Sequence, residues 1–134
     1  MSEFVFDHVN ISIDENSKAA DFFQKVLGFE NGYRPPFPFG GKWLYENEKA
    51  VIHVIDLPNE GNRTNFGHIA FKTDEAVETV IERIESIGLK YRRTIVPAEG
   101  QVQTFVDLNG LIVEIITPSE GKNIEEKDYE LPTF

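Results

Sequence analysis

Three observations in the sequence predict an α+β fold in which two βαβββ modules form curved mixed sheets around a central metal cavity. An alternating segment led by histidine occurs twice, 60 residues apart, at His8 and His68. Each copy is followed by apolar residues at helical spacing that stop at a glycine, Gly28 in one and Gly88 in the other. Three strand-like segments then follow each helix.

The repeat begins where Asp7-His8-Val9-Asn10-Ile11-Ser12-Ile13-Asp14 matches Gly67-His68-Ile69-Ala70-Phe71-Lys72-Thr73-Asp74. Val9, Ile11 and Ile13 alternate with His8, Asn10 and Ser12, the period of a half-buried strand. Asn16 or Ser17 is placed to cap a helix running through Leu27, with Ala19, Phe22, Phe23, Val26 and Leu27 as its apolar stripe. The second helix is predicted from Asp74 to Ile87, with Val77, Val80, Ile81, Ile84 and Ile87 inward and Glu75, Glu78, Glu82 and Glu85 on a solvated face. Gly28 and Gly88 suit the left-handed position after a helix end. Strands are predicted near Gly32 to Arg34, Lys42 to Glu46 and Ala50 to Ile55, then Lys90 to Val96, Val102 to Asp107 and Leu111 to Thr117. Asn47-Glu48-Lys49 and Leu108-Asn109-Gly110 read as hairpin turns.

These elements give a single domain over residues 1–134, with module one at about 4–57, a breaker-rich linker at 58–65, module two at about 66–117 and an acidic tail from 118 to 134. The tail lacks periodicity, and its Leu131 and Phe134 are its candidates for packing. A formal charge of -10 opposes binding to nucleic acid or anionic membranes. No apolar run reaches the roughly 20 residues that span a bilayer, and Met1 to Ser12 carries Glu3 and Asp7 where a signal peptide would be basic and apolar. A cytoplasmic protein is expected. With no cysteine in the chain, any metal is held by nitrogen and oxygen.

Strand alternation places His8 opposite Val9, Ile11 and Ile13, and therefore away from the helix; the repeat places His68 likewise. In the last strand of each module, Val51, His53 and Ile55 share one face, as do Ile112, Glu114 and Ile116. His53 and Glu114 are equivalent once the second hairpin is given one extra residue. All the histidines and one glutamate thus face an inner surface, and a carboxylate among apolar neighbours requires a cation or good donors. The predicted metal ligands are His8, His53, His68 and Glu114, around one divalent ion of the Zn, Ni, Co, Mn or Fe type per chain.

The Asp7-His8-Val9 start, Phe22-Phe23 through Leu27-Gly28-Phe29, Gly67-His68-Ile69-Ala70-Phe71, and Asp107-Leu108-Asn109-Gly110-Leu111-Ile112-Val113-Glu114-Ile115 resemble the vicinal oxygen chelate superfamily over about residues 4 to 117. The last stretch is similar to that family's D-P-x-G-x-x-x-E-[LI] ending, with Leu108 in the place of proline. The resemblance implies His8, His68 and Glu114 as shared ligands of an ion that stabilises an enolate or related oxyanion. His53 stands where bacterial glyoxalase I has glutamate, and Ser12 where it has arginine, which argues against glutathione-dependent methylglyoxal conversion.

The expected function is a metal-dependent lyase or isomerase acting on a small carbonyl or hydroxy-carbonyl substrate, with Glu114 as the catalytic proton carrier. The alternatives are an Fe(II)-dependent dioxygenase and a metal-free drug- or metabolite-binding protein of the bleomycin-resistance kind. Arg34, Trp43 and Tyr45 are the predicted substrate-binding residues, set around the loop Arg34-Pro35-Pro36-Phe37-Pro38-Phe39-Gly40-Gly41-Lys42-Trp43, which reads either as a lid or as an apolar dimer contact. A homodimer is expected, since similar-sized members of the family commonly form one.

Overall fold

The computed structural model describes residues 3–14, 16–57 and 63–132. Most of the predicted linker, and Phe134 of the tail, lie outside the described residues. The element order is β1 (Val5–Ile13), α1 (Ala19–Asp21, continuing as a π-wound turn over Phe22–Val26), β2 (Glu30–Gly32), β3 (Gly41–Glu46), β4 (Lys49–Asp56), β5 (Thr64–Lys72), α2 (Val77–Ser86), β6 (Arg92–Ile95), β7 (Val102–Leu108) and β8 (Leu111–Thr117). The βαβββ order expected from the sequence is therefore present twice. The strands form one mixed sheet in the order β2-β3-β4-β1-β5-β8-β7-β6, which ends in two edges and does not close. Among the described residues no helix is long and apolar enough to cross a membrane.

The chain divides into two compact units. Among the described residues, an N-terminal unit holds those of Asp7–Arg34 and Phe39–His68, and a C-terminal unit holds those up to Phe6, Pro35–Pro38 and those from Ile69 onward.

In the N-terminal unit β1 runs parallel to β4, with Asn10 opposite His53, while β3 is antiparallel to β4 with Trp43 opposite His53. Ile11, Ile13, Leu44, Val54 and Ala20 of α1 form its core, and Val9, Phe23, Phe29 and Ile52 pack against them. The apolar face of β1 covers the helix as alternation predicts. Helix α1 departs from expectation. The Ser17 hydroxyl accepts from the Ala19 amide at 3.2 Å, but the chain then widens, with the Leu27 amide bonded to the Phe22 carbonyl at 3.3 Å, a spacing of five. The wider turn carries Phe22, Val26 and Leu27 off the buried stripe, leaving Val26 70% exposed.

In the C-terminal unit β7 pairs with β6 and β8, both antiparallel. Helix α2 buries Val77, Val80, Ile81 and Ile84 against Val102 and Val106 of β7, as its periodicity requires. It starts later than the predicted Asp74 because Ala76 is extended and the Thr73 hydroxyl takes the Glu75 amide at 3.3 Å. Ile87 falls beyond its end and is exposed. The Asn109-Gly110 hairpin has positive φ at both residues, the pair of conformations that a tight two-residue turn demands. The tail is ordered at Tyr129, which is buried and meets the Phe37 ring edge-on at 5.0 Å. Phe37, from the proline-rich loop, is thereby packed inside this unit; Leu131 is 38% exposed.

Candidate metal centre

The N-terminal unit brings the histidines together. His8 is 2% exposed on β1, and its Nδ1 lies 2.7 Å from Asp7 Oδ2. A carboxylate accepts there, so Nδ1 carries the proton and Nε2 presents its lone pair, the arrangement in which an imidazole binds a divalent ion. The His68 ring on β5 stands 5.5 Å from that of His8, at 73° to it. One residue earlier, a Cβ on Gly67 would lie 2.1 Å from Asn10 Oδ1, so only glycine lets the buried Asn10 amide approach β5 beside His68.

His53 is buried on β4 and is sandwiched by rings. It stacks on His8 with centroids 3.4 Å apart and planes 15° from parallel, and on Trp43 at 3.7 Å and 10°. Ligand-type atoms of Asp7, His8 and His53 lie within 4.8 Å of one another. Orientation works against their sharing an ion, because imidazole lone pairs lie in the ring plane and the rings of His8 and His53 are stacked with their planes close to parallel. As a fourth ligand beside His8, the role expected from sequence, His53 would have to rotate out of the stack.

Of the predicted substrate contacts, Trp43 covers the outer face of His53. The Arg34 guanidinium lies 5.1 Å from the centroid of the Phe39 ring, and a Cβ on Gly41 would come within 3.2 Å of its Nη2. Gly41 is two residues before Trp43 on β3, so Arg34 covers the face that carries Trp43 and His53. Tyr45 instead supports the local backbone, with its ring under Gly32 and its hydroxyl donating to the Tyr33 carbonyl at 2.5 Å.

The C-terminal unit holds the carboxylate. Glu114 is 1% exposed on β8, opposite Phe105 of β7. Gln103, opposite Ile116 on the same face, donates through Nε2 to Glu114 Oε2 at 2.9 Å and accepts at Oε1 from the Tyr129 hydroxyl at 3.0 Å. Sequence patterns do not single out Asp7, Gln103 or Tyr129. Strand alternation assigns Asp7 to the face opposite His8, the face of Gln103 depends on a register that the sequence does not fix, and no periodicity marks Tyr129.

The chain matches the model of the Glyoxalase/Bleomycin resistance protein/Dioxygenase superfamily over residues 5–115. It is similar to a protein described as glyoxylase I 4 of Arabidopsis thaliana, 30% identical over 121 residues, which cover 81% of this chain and 68% of that protein. It is also similar to a lactoylglutathione lyase of Pseudomonas aeruginosa, at 24% identity over 87% of this chain and 84% of that enzyme. Among solved structures, methylmalonyl-CoA epimerase from Mycobacterium tuberculosis shares the fold, with a TM-score of 0.63 at 14% identity over 86% of this chain and 88% of that one. An extradiol ring-cleaving dioxygenase from B. fuscum does so with a TM-score of 0.66 at 15% identity, the match covering 93% of this chain and 35% of the dioxygenase.

Proposed function

Because this chain belongs to the Glyoxalase/Bleomycin resistance protein/Dioxygenase superfamily, we propose that it is a metal-dependent enzyme of the lyase or isomerase type, using one divalent ion held by His8, His68 and Glu114. The observation that carries this reading is the burial of Glu114. A carboxylate 1% exposed between Val113 and Ile115 gives up several kcal/mol of hydration, a cost that a bound divalent cation offsets. Two imidazoles and a carboxylate form a donor set that suits Zn, Ni, Co, Mn or Fe. When bound, such an ion supplies Lewis acidity toward a carbonyl or hydroxyl oxygen of a small substrate.

The remaining work falls to the chain. Asp7 fixes the tautomer and plane of His8. Glu114, the carboxylate of the set, takes a proton from substrate carbon and returns it. Trp43 and His53 form a flat aromatic wall, and Arg34 on the same face supplies positive charge for a substrate carboxylate or phosphate. A small carbonyl or hydroxy-carbonyl compound is the substrate class that these groups fit. We take the active form to be a homodimer with one ion per chain.

Native mass spectrometry of protein purified without chelator tests these statements together. The expected result is two 15.3 kDa chains carrying two ions, with the ions lost in His8→Ala and Glu114→Ala. Unchanged metal content in either variant would sink the ligand assignment, and a single-chain mass would remove the dimer alone. If the ion is iron and the protein consumes oxygen with a catechol, the dioxygenase reading displaces the lyase one.

A further inference from the structure

We infer that Tyr129, twelve residues beyond the end of β8 at Thr117, is a positioning residue for Glu114, acting through Gln103. The inference rests on the reading of Glu114 as a metal ligand. A glutamine amide has nearly the same shape in its two orientations, so its partners decide which end faces which neighbour. Glu114 accepts at Oε2 from Gln103 Nε2 at 2.9 Å, and Tyr129 donates to Gln103 Oε1 at 3.0 Å. Turning the amide over would set its carbonyl oxygen against a buried carboxylate and leave the tyrosine proton facing an NH2 group. The carboxylate, which only accepts, sets the sense of the amide, and the bond from the tyrosine hydroxyl to its far end anchors it in the position that reaches Oε2. All three side chains are buried, so water does not compete for these bonds.

Tyr129 is itself held from several sides. Its ring meets Phe37 edge-on at 5.0 Å and 72°, and its amide closes a single 3-10 turn over Glu126–Asp128 by donating to the Glu126 carbonyl at 3.2 Å. The segment before it is tied to the β6–β7 turn by Asn123 Oδ1, which accepts from the Ala98 amide at 3.1 Å. The C-terminal segment thus couples the proline-rich loop to the orientation of Glu114, with no residue of that segment belonging to the ligand set.

The experiment is zinc affinity by competition with a chromophoric chelator, alongside the melting temperature of the metal-free protein, for wild type, Gln103→Met, Tyr129→Phe and Tyr129→Leu. Tyr129→Phe keeps the ring on Phe37 and removes only the hydroxyl. Gln103→Met is expected to weaken zinc binding by about 10-fold or more, within the range that loss of a partner to a ligand costs, and Tyr129→Phe by several-fold, with little change in melting. Wild-type affinity in Tyr129→Phe with weakened binding in Tyr129→Leu would assign Tyr129 to packing and overturn the inference. Wild-type affinity in Gln103→Met would overturn the route through the amide. A wild-type protein that binds no zinc would remove the premise itself, which distinguishes failure of the ligand reading from failure of this one.

Discussion

His53 and Glu114 occupy matching places in the two units, each on the last strand of its module and each opposite an aromatic residue, Trp43 for one and Phe105 for the other. The repeat makes them look like interchangeable ligands, but the surroundings make them different tools. His53 is held by two parallel rings, contacts that fix its plane and commit both of its faces. Glu114 is held by directed hydrogen bonding through Gln103, which leaves the carboxylate's chemistry intact. The first strands diverge in the same manner. Asp7 grips His8, whereas Gly67 at the repeat-equivalent place clears room for Asn10. The two modules share their element order while they differ in what surrounds each donor.

Removing the imidazoles one at a time separates the stacked donor from the others. His68→Ala is expected to lower zinc affinity by well over 100-fold, beyond what loss of a ligand's neighbour costs, and His53→Ala by about 10-fold or less. Isothermal titration of each variant reads the difference. Equal losses would make His53 a fourth ligand, as the sequence suggests, and show that it leaves the stack when an ion binds.

The helices differ in a way that stability measurements resolve. Ile84 of α2 is buried against Val106, whereas Val26, within the π turn of α1, stands largely in solvent. Ile84→Ala is expected to cost about 2–5 kcal/mol in urea unfolding, the range for a core isoleucine truncated to alanine. Val26→Ala should stay within about 0.5 kcal/mol, as for other exposed sites. A loss above that from Val26→Ala would mean that its face is covered in solution, as a dimer contact would do.

Much of the fold is legible in the chain because strand alternation and helix spacing are local. His8 opposite Ile11, His53 opposite Ile52 and Glu114 opposite Ile115 follow from a period of two, and α2 from its valines and isoleucines. The π turn is not legible, since Phe22, Val26 and Leu27 satisfy a regular helical stripe just as well. Gln103 is hidden by register, and Tyr129 by distance in sequence: its partners lie 26 residues away at Gln103 and further still at Phe37. The aromatic loop reads as a single surface, yet Phe37 is packed on Tyr129 and Trp43 on His53.

The smallest expected effect lies at the start of α2, where Glu75 departs from the solvated face that its helical neighbours Glu78, Glu82 and Glu85 share. Its carboxylate receives both terminal nitrogens of Arg83, Nη1 at 2.9 Å and Nη2 closer still. The hydrogen bonds from Arg83, helped by that residue's charge, hold the Glu75 carboxyl below the usual carboxylate range. A carboxyl more acidic in the folded chain than in the unfolded one binds fewer protons when folded. Its contribution to stability is therefore complete above the unfolded value and is lost as pH falls through the folded one. The guanidinium is partly exposed, so solvent and salt screen the pair and the contribution is small. Wild type should melt slightly above Glu75→Gln at pH 7, with the gap closing below the carboxylate range and shrinking in high salt. A gap of constant size from pH 7 to pH 3 would show that packing by the Glu75 side chain, and not its charge, secures the entry to α2.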